Sequence, residues 1–165
     1  GAYLRDQKRV NEQLRRVTVI GQKNKNIENE EWLLFEKPKK TSESKNSVYI
    51  EIGFKLVENE NTESEKIQSI NNSSLVVYFP TEKETKLGFL IQGPYKTTPA
   101  RDNIPKDNSW NTNLINDTAA FLIDVLHELK EMNLLTVDLL KALPIDPGLF
   151  QEDSMFYPIY SEVRN

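Results

Sequence analysis

The amino-acid sequence predicts an α+β fold: a largely antiparallel or mixed sheet with C-terminal helices packed on one face. Three observations lead there. Between residues 48 and 56, Val48, Ile50, Ile52, Phe54 and Leu56 share one face, and Tyr49, Glu51, Gly53 and Lys55 the other. That two-residue period belongs to a strand with one face in the core. Farther on, Trp110, Leu114, Phe121, Leu122, Val125, Leu129 and Met132 recur at helical steps, with Ala119, Ile123 and Leu126 widening the stripe. Finally, every strand-like run precedes the helical ones, an order that argues for α+β.

A length of 165 residues fits one domain. We divide it into a lead-in (1–14), a sheet region (15–105) and a helical region (106–165). Hydrophobic residues make up 38%, with seven Phe, six Tyr and two Trp. A chain of this size buries about 70% of its unfolded surface, so a core needs no covalent staples.

Residues 3–14 are polar and read as a weak helix or an extended lead-in. The β-branched run 17–20 ends at Gly21 and reads as a strand, with 22–31 a turn. Residues 32–35 form a second strand, stopped by Pro38, and 37–46 a loop. The Glu-, Asn- and Ser-rich stretch 58–66 reads as a loop of weak order. Residues 75–79 are apolar throughout, which suits a central strand covered on both faces and ended by Pro80. Residues 87–93 are a further strand, and the polar connection 81–86 makes the two a hairpin. Pro94, Pro99 and Pro105 make 94–108 an irregular, stiffened loop. Asp107, Asn108 and Ser109 are candidate caps for the long helix, which ends with Asn133 in the left-handed conformation. Thr136 caps a second helix with Leu139, Leu140 and Leu143 on its face and Pro144 as its stop. The aromatic tail, Phe150, Phe156, Tyr157 and Tyr160, carries no clear element.

Composition removes several classes of chemistry. Without cysteine there are neither disulfides nor thiolate zinc sites, and the balance tilts towards a reducing, cytoplasmic location. A net charge of −4 gives nucleic-acid binding no support, and Lys37, Lys39, Lys40 and Lys45 read as a solvated loop. No apolar run approaches the roughly 20 residues that span a bilayer. Arg5, Asp6, Lys8 and Arg9 occupy the place of a signal peptide's apolar segment. Gly1 in place of Met reads as a cut or tag remnant. The single His127, near Asp124, Glu128 and Glu131, reads as a partly exposed helix residue; one His and no Cys leave no triad. Glu58, Glu60, Glu63 and Glu65 read as solvated. Gly21, Gly53, Gly88, Gly93 and Gly148 are isolated, so no phosphate-cradling loop forms. The chain therefore lacks a complete catalytic site of its own.

One segment stands apart. Residues 93–105 join a core strand to the major helix, carry three prolines, and present Lys96 and Arg101, with Lys106 next. A stiff loop between rigid elements holds binding residues well, and an Arg there can clamp an anion. It can equally be a surface loop whose Arg pairs with Asp102 or caps backbone carbonyls.

The phrases LVVYFPTEKET (75–85) and GFLIQGPYKTTPARDNIP (88–105) resemble bacterial proteins with a sacsin-like, GHKL-type ATP-binding domain at their N-terminus. These are relatives of the ninety-kilodalton heat-shock chaperone. EWLLFEKP (31–38) and ALPI (142–145) share the resemblance, which spans about residues 15–160. It implies a middle domain of ribosomal-protein-S5-domain-2-like fold, following an N-terminal ATP-binding domain outside this chain. It also implies that Arg101 contacts the γ-phosphate held there, with Lys96 and Lys106 as further cofactor-binding candidates. Ala100 and Asp102 stand where the chaperone has Ser and Glu, and Pro105 interrupts what would be helix. ATP and Mg belong to the full-length protein, with neither bound by this fragment alone. The expected partners are the protein's own ATP-binding domain, a client protein and a second copy in a homodimer, with no nucleic acid and no membrane. The alternative is a non-catalytic protein–protein interaction module.

Overall fold

The computed structural model describes residues 4–23, 26–39, 48–59 and 64–165. Four strands form an antiparallel meander: β1 (Leu4–Arg9), β2 (Leu14–Lys23), β3 (Asn26–Lys39) and β4 (Val48–Glu58). Strand β4 then shares its far side between two partners. Its C-terminal half pairs with β5 (Glu65–Gln68), and its N-terminal half with β8 (Leu90–Gln92). Strand β6 (Ser74–Val76) runs parallel to β8, and β7 (Pro80–Glu84) closes the edge antiparallel to β6. The sheet order is β1-β2-β3-β4-β8-β6-β7. Three helices follow: α1 (Ser109–Glu131), α2 (Val137–Ala142) and α3 (Tyr157–Arg164). The chain is thus α+β with a mixed, largely antiparallel sheet, as the order of patterns predicts.

Register builds the core. Leu33 lies opposite Phe54, Phe35 opposite Ile52, and Ile52 opposite Ile91, so large apolar side chains line up across three strands. All are buried. Phe54 meets Phe35 edge-on at 6.1 Å and Phe89 at 5.1 Å between ring centroids, spacings at which aromatic pairs attract. Leu114, Ile115, Phe121, Leu122, Val125 and Leu129 of α1 join the same cluster. Two cations of β3 fasten the helix: Lys39 pairs with Asp117, and Lys37 lies 6.0 Å from the Phe121 ring centre. Lys37 and Lys39 therefore belong to a strand rather than to a solvated loop.

Several expectations are corrected. The lead-in contains β1, paired along its whole length with β2. Ladder hydrogen bonds do not need an apolar face, so hydrophobic pattern alone misses such an edge strand. For the same reason the supposed turn at 22–31 belongs to the β2–β3 hairpin, whose pairing continues to Lys23 opposite Asn26. Pro38 does not stop β3. Pairing with β2 ends at Phe35, so Pro38 sits where one side of β3 is an edge and a missing donor costs no ladder bond. At 58–66, Glu58 ends β4, while Glu65 and Lys66 open β5. Glu65 is not merely solvated: it pairs with Arg16, and Glu65 first and Glu31 second hold the Arg16 pKa above its ordinary value. Gly1, Lys40, Lys45, Glu60 and Glu63 lie outside the described residues.

The larger correction concerns 75–93. Strand β6 ends at Val76, and the Val77 N–H donates to the Phe79 carbonyl at 2.9 Å in a tight reversal. Pro80 opens β7 instead of ending a strand. The hairpin is β6–β7, while β8 lies parallel to β6. Hydroxyls fasten this region: Thr81 Oγ1 donates to the Leu75 carbonyl at 2.7 Å and Ser73 Oγ to that of Phe89 at 2.9 Å. These bonds are invisible to a count of apolar residues.

The helix signals hold. Asn108 caps α1 by accepting from the Asn111 N–H at 3.1 Å, and Asn133 follows the helix at φ 60°. Thr136 caps α2 by accepting from the Leu139 N–H at 3.3 Å. Leu139 and Leu143 are buried, but Leu140, 48% exposed, faces solvent and is not part of the packed face. The aromatic tail supplies α3, which buries Ile159 and Tyr160 and stacks Tyr160 on Phe150.

Candidate functional site

The loop between β8 and α1 is built outward from the core. It leaves the sheet at Gly93, whose N–H donates to the Val76 carbonyl at 3.2 Å. A side chain at Gly93 would meet the Tyr95 ring at 2.8 Å, so this close approach needs glycine. Tyr95 is the anchor: its ring is buried and its hydroxyl lies 3.3 Å from Thr118 Oγ1 of α1. Burial pushes the Tyr95 pKa well above the usual tyrosine range, against the lowering effect of Thr118. Next, the buried Asn111 side chain clamps Lys96 from both sides. Its Oδ1 accepts from the Lys96 N–H at 2.7 Å, and its Nδ2 donates to the Lys96 carbonyl at 3.0 Å. Trp110 Nε1 adds a bond to the Pro94 carbonyl at 2.8 Å. Thus the first turn of α1 grips the loop before it reaches its tip.

The tip is a compact turn. The Thr98 N–H donates to the Asn103 carbonyl and the Arg101 N–H to the Thr98 carbonyl, both at 2.8 Å. Thr98 Oγ1 donates to Asp102 Oδ1 at 3.1 Å. The Glu82 N–H of β7 donates to the Asp102 carbonyl at 2.7 Å, which pins the tip to the edge strand. Arg101 occupies the turn at φ 60°, with its side chain exposed. Among the described residues its guanidinium makes no hydrogen bond or ion pair, and Asp102 is engaged by Thr98 instead.

The sequence singled out Lys96, Arg101 and Lys106, and the structure puts all three on this loop but not in one pocket. Lys106 lines a cleft of about 510 Å³ with Lys83, Asn108, Asn111, Glu152 and Tyr157. Lys96 and Arg101 face solvent outside it. Sequence reasoning missed Asn111, whose clamp depends on tertiary contact, and Lys83, which sits in what read as a polar connection. His127 is exposed and lines a shallow groove with Glu128 and Glu131. Among the described residues no three carboxylate or imidazole groups are placed to hold a metal ion, and no helix is long and apolar enough to cross a membrane.

Chemically, the one hydroxyl–carboxylate pair of the tip, Thr98 with Asp102, is exposed and fastens the turn. The loop offers a hydrogen-bonded backbone that carries outward a cation unpaired among the described residues. Comparison with protein families, with curated proteins and with solved structures finds no match.

Proposed function

We propose that this chain is the middle, coupling domain of an ATPase related to the ninety-kilodalton heat-shock chaperone. In this reading Arg101 is the group it lends to the ATP site of an adjoining domain. The supporting observation is the Arg101 guanidinium, unpaired among the described residues, on a loop gripped by α1 at Lys96 and by β7 at Asp102. A cation held by a braced backbone loses little freedom when it meets an anion.

ATP and its Mg ion are held by the adjoining domain, since the loop here supplies cations and no carboxylate cluster. Bound there, the nucleotide develops charge on its transferred phosphoryl oxygens. Arg101 stabilises that charge, as arginines supplied by a second domain or protein do, by about 10³–10⁵ in rate. Lys96 and Lys106 add positive potential that steers the two domains together. Domain closure thereby becomes a condition for turnover, which relays nucleotide state to a client. The mixed sheet with a long helix on one face is compatible with the ribosomal-protein-S5-domain-2-like fold, and a full-length cytoplasmic homodimer completes the proposal.

In the full-length protein, Arg101→Ala lowers ATP turnover strongly and leaves nucleotide affinity nearly intact; unchanged turnover removes Arg101 from the mechanism. The isolated chain, titrated with ATP in a calorimeter, gives no binding heat; millimolar or tighter affinity overturns the reading. A second reading, a non-catalytic interaction module, draws on Leu135, Val137, Leu140, Ile145 and Leu149, all exposed around and after α2. An upstream sequence without a GHKL site favours it.

A further inference from the structure

Helix α2 and the turn after it present apolar side chains that the core does not take up. Leu139 and Ala142 are buried, while Val137 and Leu140 on the outer face of the helix are 69% and 48% exposed. Beyond the helix, Ile145 is 62% exposed and Leu149 51%. The turn between them is held by its own hydrogen bonds. Asp146 Oδ1 accepts from the Gly148 N–H at 2.8 Å, and the Asp146 carbonyl from the Leu149 N–H at 3.1 Å. Asp146, Pro147 and Gly148 supply this turn chemistry, which asks for no apolar residue at 145 or 149. Grouped apolar exposure of this kind marks an interaction surface.

The surface has relief. Ile145 and Leu149 rim a groove of about 290 Å³ whose lining includes the buried Leu143 and Phe150. Ile145 also lines a hollow of about 420 Å³ with Pro144, Pro147, Tyr160 and Arg164. It is therefore a ridge with a depression on either side. A ridge beside an apolar groove is a shape that its own copy fills: under a two-fold axis each ridge enters the other's groove.

Charge points to the same occupant. Glu84, Lys86, Lys141 and Asp146 line the groove. Glu84 and Lys86 lie 2.7 Å apart and neutralise each other, whereas Lys141 and Asp146 form no ion pair among the described residues. On the flanks, Asp138 of α2 pairs with Lys66 at 3.5 Å, and Arg164 donates to the Tyr160 hydroxyl at 3.5 Å. A uniformly acidic partner would repel Asp146, and a uniformly basic one Lys141. A second copy turned about a two-fold axis offers a carboxylate to each ammonium and an ammonium to each carboxylate.

We infer that this face is a self-association surface. Two copies of the chain pack about a two-fold axis, with Ile145 of each in the other's groove and Lys141 of each against Asp146 of the other. No residue of the β8–α1 loop takes part, so dimerisation and the role proposed for Arg101 are tested separately.

Sedimentation equilibrium of the chain gives a monomer–dimer equilibrium with a Kd of about 10–100 μM, as suits a small interface. Ile145→Ser raises that Kd about 30-fold, the loss typical of a central anchor, without lowering the melting temperature. Lys141→Glu sets carboxylates face to face in the dimer, and Asp146→Lys sets ammonium groups face to face, so each variant alone is monomeric at about 100 μM. Mixed in equal amounts the two variants dimerise again, because each copy supplies the charge that the other lacks. A structural role for either side chain within its own chain gives no such recovery. A parent chain that is monomeric at about 1 mM overturns the proposal. So does an Ile145→Ser variant that dimerises as the parent does, or a mixture of the folded charge variants no more associated than its components.

Discussion

Tyr95 is the residue on which the candidate site hangs, and its burial makes a pH-dependent prediction. A free tyrosine titrates near pH 10, and Tyr95 titrates higher in the folded chain because burial disfavours the phenolate. A folded-state pKa raised above the unfolded value means stability that is complete below about pH 10 and lost as pH rises towards the folded value. The loss runs at about 1.4 kcal/mol per pH unit. Tyr95→Phe removes the hydroxyl, which costs about 1 kcal/mol at neutral pH. It also removes the titration, so the gap in urea midpoint between variant and parent closes between about pH 9 and about pH 11. A gap that stays constant over that range contradicts the burial of the hydroxyl. Gly88 supplies a second test. A methyl group there would lie 2.3 Å from Ser69 Oγ and 2.5 Å from the Ala142 Cα. The Gly88 N–H also donates to the Ala142 carbonyl at 2.9 Å, so the backbone cannot easily retreat. Gly88→Ala destabilises by about 1–3 kcal/mol in chemical denaturation, the usual cost of overpacking. A neutral effect shows that Gly88 does not approach Ala142 of α2 as closely as described.

The elements differ in how legible they are, and the reason is where their hydrogen bonds and apolar faces lie. Strand β4 and helix α1 bury one face each, so the periods 2 and 3.6 are written in their side chains. The helix caps, Asn108 and Asn133 for α1 and Thr136 for α2, act within three or four residues and are local enough to read. Strand β1 is six residues of LRDQKR held by its neighbour's backbone, which leaves no trace in hydrophobicity. The run 75–79 misleads for the opposite reason. Its apolar residues suggest a long buried strand, but the chain reverses at Tyr78 and puts that ring in water. The grip of α1 on the loop is an element-scale feature with its own consequence. Asn111→Ala breaks both bonds to Lys96 and leaves its N–H and carbonyl unpartnered, which costs about 2–3 kcal/mol. Amide hydrogen exchange then rises across 94–104 more than in β3 and β4. Uniform exchange in that variant contradicts the clamp.

At the scale of the whole molecule, one His, no Cys and the lack of a glycine-rich phosphate loop are read directly from the sequence, because they are countable. The sequence also points to the loop, through its three prolines and three cations. The placement of Arg101 is not countable. It depends on Asn111 and Glu82, which come from a helix and an edge strand on either side, and on Asp102 choosing Thr98 over its neighbour. Core, Tyr95, Asn111 and turn form a continuous support for Arg101, whose guanidinium is unpaired among the described residues. The most direct test is single-turnover ATP hydrolysis by the full-length protein with Arg101 replaced by Ala, and by Lys as the conservative change. The expected result is a fall of about 10³-fold or more for Arg101→Ala, partial recovery with Lys, and unaltered nucleotide affinity. Hydrolysis by Arg101→Ala at the parent rate contradicts it.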